Sequence, residues 1–119
     1  MGKLTTHVLD TASGRPAAGV SIELWALSPE GGEKETLLLT TETNEDGRTD
    51  SALLSGGGMI AGSYRIVFSV GHYFRTRGNP DAGRFLDRVP IEFRIEDSDS
   101  AYHVPLLVTP WSYTTYRGS

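Results

Sequence analysis

Five stretches of this chain alternate apolar and polar residues with a period of two, the spacing of side chains along a half-buried strand. In the first, Leu4, Thr6 and Val8 oppose Thr5, His7 and Leu9. In "VSIELWAL", Val20, Ile22, Leu24 and Ala26 oppose Ser21, Glu23 and Trp25. "YRIVFSV" points Tyr64, Ile66, Phe68 and Val70 one way, and "VPIEFRIE" does the same with Val89, Ile91, Phe93 and Ile95. In "YHVPLLVT", Tyr102, Val104, Leu106 and Val108 oppose His103, Pro105 and Leu107. A chain patterned in this way buries one face of each strand, so it must fold as stacked or closed sheets.

The segments between are rich in turn residues. "TASGRPAAG" and "SPEGGEKE" link strands, and the Asp-Gly of "NEDGR" supplies the positive φ of a tight turn. "TLLLTTET" and the final "SYTTYRGS" add extended pieces, and "SALLSGGGMIAGS" is a short strand or coil running into a flexible bend. Its triple glycine lacks the strand and helix that flank a dinucleotide-binding loop. Only "GHYFRTRG" reads as helix, of about two turns, with Gly78 as its stop. The pattern predicts an all-β, antiparallel β-sandwich of seven or eight short strands in one domain, residues 1–119. Pro105 has no N–H to give a ladder, so it belongs on an edge or where no ladder partner faces it.

Composition narrows the function. With 119 residues the chain buries roughly two-thirds of its unfolded surface and needs no covalent staples, and it has no cysteine for disulfides or thiolate metal sites. A net charge of -4 with interspersed signs argues against nucleic-acid binding. No apolar run is long enough to span a membrane, and "MGKLTTHVLD" enters a strand pattern without a signal-type apolar core, so a cytoplasmic location is expected.

Chemistry has few carriers. His7 and His103 each lie on the face opposite the aliphatic core side, each with a leucine on that same face, Leu9 and Leu107. A mixed face of His, Leu and Thr suits burial against another subunit. If the first and penultimate strands are neighbours, the two histidines converge; otherwise they are two exposed strand histidines. Arg48 after the "EDG" turn and Arg117 in the tail read by themselves as solvated charges, and His72 as a helix residue. No HxH or HExxH spacing occurs, so no metal is expected. The last four residues, Tyr116, Arg117, Gly118 and Ser119, read either as a frayed stub or as a tail held for use.

"THVLDTASGRPAAGVSIELW", "TNEDGRT" and "YHVPLLVTPWSYTTYRGS" together resemble the transthyretin-related 5-hydroxyisourate hydrolases over essentially the whole chain. The terminal "YRGS" is the most specific element, since the hormone-carrying transthyretins lack it. Arg77 to Arg88 is longer or more divergent than is usual there. The resemblance implies a sandwich of two four-stranded sheets with one short helix. It implies a homotetramer with a central channel and active sites at the dimer–dimer interface. It implies hydrolytic ring opening of 5-hydroxyisourate to 2-oxo-4-hydroxy-4-carboxy-5-ureidoimidazoline, on the way from urate to allantoin, without cofactor or metal. His7, Arg48 and His103 would be the catalytic residues, and His7, Arg48, Tyr116, Arg117, Gly118 and Ser119 would bind substrate.

Two rivals make different predictions. A transthyretin-like small-molecule carrier would show a channel without turnover, and would want a more apolar lining than His7, Arg48, His103 and "YRGS" provide. An adhesive sandwich of immunoglobulin type would be monomeric, with its histidine face in water.

Overall fold

The computed structural model describes residues 2–28 and 34–118. Within these residues nine strands and one α-helix follow in order: β1 (Lys3–Asp10), β2 (Arg15–Pro16), β3 (Ser21–Leu27), β4 (Glu35–Glu42), β5 (Leu54–Ser55), β6 (Gly62–Phe68), α1 (Val70–Thr76), β7 (Val89–Ile95), β8 (Ala101–Val108) and β9 (Tyr113–Thr115), with a 3-10 turn at Gly56–Gly58 between β5 and β6. One sheet runs β2-β1-β8-β9, with β5 on the same side of β1 as β2, and the other runs β4-β3-β6-β7. The alternation is realised: Leu4, Val8, Ile22, Leu24, Ile66, Phe68 and Leu106 are fully or almost fully buried between the sheets. The all-β sandwich expected from the pattern is therefore present.

Two features differ in detail from the expectation. The first sheet gains a fifth, two-residue strand, because Leu53 N–H donates to the Leu4 carbonyl at 2.8 Å and brings Leu54 and Ser55 onto the start of β1. And β1 pairs with β8 in parallel, from Lys3 opposite Ala101 to Asp10 opposite Val108, while the other strand pairs are antiparallel. Period-two patterning fixes which face a strand buries and carries nothing about its direction.

The helix stops as the sequence suggests. Gly78 adopts φ +71°, its N–H donates to the Arg75 carbonyl at 3.0 Å, and Asn79 N–H reaches back to the Phe74 carbonyl at 3.0 Å. This double closure satisfies the last carbonyls of α1 with a left-handed glycine just past the end. The helix packs Tyr73 into the core, where its hydroxyl donates to Asp10 Oδ2 at 2.8 Å. Burial and the carboxylate beside it push the Tyr73 phenol up to about 12. The segment after the helix rests on the β8–β9 corner: Phe85 stacks on Trp111 with ring centroids 6.2 Å apart, and Arg84 lies 5.6 Å from the same indole.

Candidate active site

The parallel pairing decides how the histidines meet. Thr5 stands opposite His103 and His7 opposite Pro105, on adjacent strands and on the outer face of the five-stranded sheet. Ordinary strand spacing and rise put the Cα atoms of His7 and His103 about 8 Å apart along that diagonal. Both side chains are half-buried.

Each ring is held by a different kind of partner. His7 Nε2 lies 2.9 Å from the Asp46 carbonyl oxygen. A carbonyl only accepts, so Nε2 carries the proton and the neutral His7 ring has its lone pair on Nδ1. His103 Nδ1 lies 2.9 Å from Thr5 Oγ1. On its other side the ring meets Gly118: a β-carbon there would sit 2.6 Å from His103 Cδ2 and 3.2 Å from Cγ. Only a glycine lets the tail lie this close to the imidazole. With Nδ1 engaged and Cδ2 covered, Nε2 is the ring nitrogen left for a ligand.

Arg48 reaches this face because its turn is docked on β1. Asn44 Oδ1 accepts from the Asp46 and Arg48 amides at 2.9 and 3.2 Å, and its Nδ2 donates to Asp50 at 3.0 Å. Gly47 takes φ +75° and is buried, and a β-carbon on it would lie 2.4 Å from the Val8 carbonyl oxygen. Val8 N–H in turn donates to the Gly47 carbonyl at 2.8 Å. The turn therefore fills the stretch of β1's edge between β5 and β2. His103, Arg48, Thr5, Lys3, Asp50 and Ser51 line a cleft of about 380 Å³. Arg48 makes no ion pair among the described residues. Burial first, then the charges of Arg48 and His7, hold His103 below the usual histidine range. Its imidazole is thus neutral at neutral pH.

The tail is anchored as well. Past β9 the chain leaves β8 where Pro105 offers no N–H. The Pro105 carbonyl is taken instead by the Thr115 hydroxyl at 2.7 Å. The chain rejoins β8 in the same register, with Gly118 opposite His103 and the Gly118 amide donating to the His103 carbonyl at 2.8 Å. Pro105 thus sits in a strand flanked on both sides, at the one place where the tail ladder lapses. Tyr116 is exposed. Arg117 points elsewhere: its guanidinium lies 4.3 Å from the centre of the buried Tyr102 ring and donates to the Ala101 carbonyl at 3.1 Å. Ser119 lies outside the described residues. The structure therefore brings together His7, Arg48, His103 and Gly118, and turns the Arg117 side chain away from them.

Thr5 and Ser51 belong to the cleft and were not singled out from the sequence. Thr5 shares the His7 face of β1, which is a signal available in the alternation. Ser51 reaches the cleft only through the docking of its loop. Among the described residues no three His, Asp or Glu side chains gather into a metal-binding set, and no helix is long and apolar enough to cross a membrane.

Comparison with known proteins agrees with this layout. Residues 4–118 match the model of the HIUase/Transthyretin family. 5-Hydroxyisourate hydrolase 2 of Rhizobium meliloti is 52% identical over 120 aligned residues, covering 99% of this chain and 97% of its own. A crystal structure of (S)-allantoin synthase superposes with a TM-score of 0.91 at 46% identity, over 99% of this chain and 44% of that one, so this chain spans less than half of that protein. The structure of Klebsiella pneumoniae 5-hydroxyisourate hydrolase matches along the full length of both chains with a TM-score of 0.78 at 34% identity. With its family model matched over residues 4–118 and a hydrolase relative identical at half of all positions, the chain belongs to the HIUase/Transthyretin family, as an enzyme of its 5-hydroxyisourate hydrolase type.

Proposed function

We propose that ring opening of 5-hydroxyisourate takes place in the cleft between His103 and Arg48, with His103 as general base. The observation that carries this reading is the His103 imidazole, held between Thr5 and Gly118, in one cleft with Arg48, which makes no ion pair among the described residues. Hydrolysis of a cyclic amide needs a deprotonated water, a stabiliser for developing oxyanion charge, and a proton for the departing nitrogen. His103 Nε2 takes a proton from water as the oxygen adds to the ring carbonyl carbon. The guanidinium of Arg48 holds the carbonyl oxygens of the ring and meets the oxyanion. Collapse of the tetrahedral adduct breaks the C–N bond, and the imidazolium of His103 returns its proton to the nitrogen. His7, with Nδ1 free to accept, orients the water.

Gly118 bounds the cleft by packing on His103, Arg117 holds the tail down on Tyr102, and substrate contacts are assigned to the tetrapeptide that Tyr116 begins. We assign the half-buried face of His7, Leu9, His103 and Leu107 to contact with further copies, in a homotetramer whose sites lie at the dimer–dimer interface. The cysteine-free composition suits action in a reducing, cytoplasmic setting.

The test is loss of 5-hydroxyisourate absorbance over the spontaneous rate. His103→Ala should lower kcat/KM by about 10²–10⁴, the usual worth of a general base. Arg48→Ala should cost about 10²–10³, the scale of one oxyanion donor. His7→Ala should also lower the rate. A folded His103→Ala protein with undiminished rate overturns the assignment.

A further inference from the structure

The two histidines are held by chemically different partners, and the difference reaches beyond the roles already given. A backbone carbonyl leaves His7 one neutral tautomer. A hydroxyl leaves His103 two, because Thr5 Oγ1 can donate to Nδ1 or accept from it. If Thr5 donated, the proton of His103 would sit on Nε2 and no lone pair would face the cleft. Two observations favour the other arrangement. Arg48 lines the same cleft as His103 and its charge acts on that ring, and a cation on the cleft side favours a lone pair facing the cleft over an N–H. Among the described residues Thr5 Oγ1 has no partner besides His103, so its own proton is free to turn to solvent or ligand in the cleft, which Thr5 also lines.

We propose that Thr5 is a positioning residue for the hydrolysis: its hydroxyl oxygen accepts the Nδ1 proton of His103 and so presents the Nε2 lone pair to the attacking water. The same bond persists after His103 takes the water's proton, because the imidazolium still donates Nδ1–H to Thr5. Thr5 thus plays, with a neutral hydroxyl, the orienting part that a second group plays toward any catalytic histidine. It is the direct neighbour of His103 in the parallel ladder, so this contact exists only because β1 and β8 run the same way at this register. Among the described residues, the charged or titratable groups around the ring are Lys3 and His7 from β1 and Arg48 and Asp50 from the turn segment, while the tail contributes Gly118.

The inference rests on His103 being the base, and the experiment separates the two. In the wild-type protein, 15N shifts of the His103 ring at neutral pH should report a protonated Nδ1 and a bare Nε2; an Nε2–H tautomer overturns the proposal without any variant. Thr5→Val keeps the shape and removes the oxygen. It should shift the His103 ring toward the Nε2–H tautomer and lower kcat/KM about tenfold, the lower end for loss of an orienting partner, with KM nearly unchanged. Thr5→Ser should restore both the tautomer and the rate. Wild-type turnover in Thr5→Val, with His103→Ala inactive, sinks the role of Thr5 alone. Full turnover in His103→Ala sinks the base itself.

Discussion

Two segments are laid against the five-stranded sheet to build the site, and they are held very differently. The Asn44–Arg48 turn is locked by the Asn44 side chain, a buried left-handed glycine and a backbone bond to the middle of β1. The Tyr116–Gly118 tail is held by one backbone bond, one close packing contact and the Arg117 side chain, which stacks on Tyr102 and donates to the Ala101 carbonyl. The turn completes an edge of the sheet, so it belongs to the fold and the site at once. The tail covers a ring that is already in place, so it belongs mainly to the site. Stability and activity should therefore move together for changes in the turn and separate for changes in the tail.

The sharpest way to break this contrast is Gly47→Ala. An added β-carbon meets the Val8 carbonyl oxygen in a positive-φ position, and we expect a loss of about 3 kcal/mol in stability with activity lost alongside, read by a thermal melt and the absorbance assay. Arg48→Gln leaves the turn's backbone bonds intact. It should cost about 10²–10³ in kcat/KM with an unchanged melting temperature. It also tests the electrostatics. Arg48 depresses His103, so removing its charge should raise that histidine, and the acid limb of the rate profile should move to higher pH; an unmoved limb would show that the two do not interact.

Smaller effects lie in the tail. Gly118→Ala places a β-carbon against the His103 ring; the tail must lift or the ring must turn, and we expect about a tenfold loss of rate with the melt shifted by no more than a few degrees. Arg117→Ala removes a stack worth about 0.5–1 kcal/mol, so its effect should be a few-fold on rate at most. A Gly118→Ala protein that melts far below wild type would place the tail within the fold and erase the difference between the two segments.

Much of this was legible in the sequence, and the limits have physical reasons. Alternation gave the buried faces of β1, β3, β6, β7 and β8, because side-chain period is a local property. It placed His7 and His103 on a shared kind of face, yet could bring them together only on the condition that β1 and β8 are neighbours, since pairing and direction are set by the whole chain. The Asp-Gly turn was readable, but its docking on Val8 was not, because a backbone bond to a distant strand leaves no mark on turn composition. Thr5 escaped notice for the same reason. A threonine in a strand is ordinary, and only the parallel register sets its hydroxyl against His103. The direction of Arg117 likewise depends on Tyr102 lying across the strand pair.

The most direct test of the account compares the full chain with one ending at Thr115, assayed for loss of 5-hydroxyisourate absorbance and melted under the same conditions. We expect a rate reduced by about a hundredfold, as when a catalytic group is left out of place, and a melting temperature within a few degrees of the full chain. Full activity without Tyr116 to Ser119, or a truncated chain that no longer folds, would contradict it.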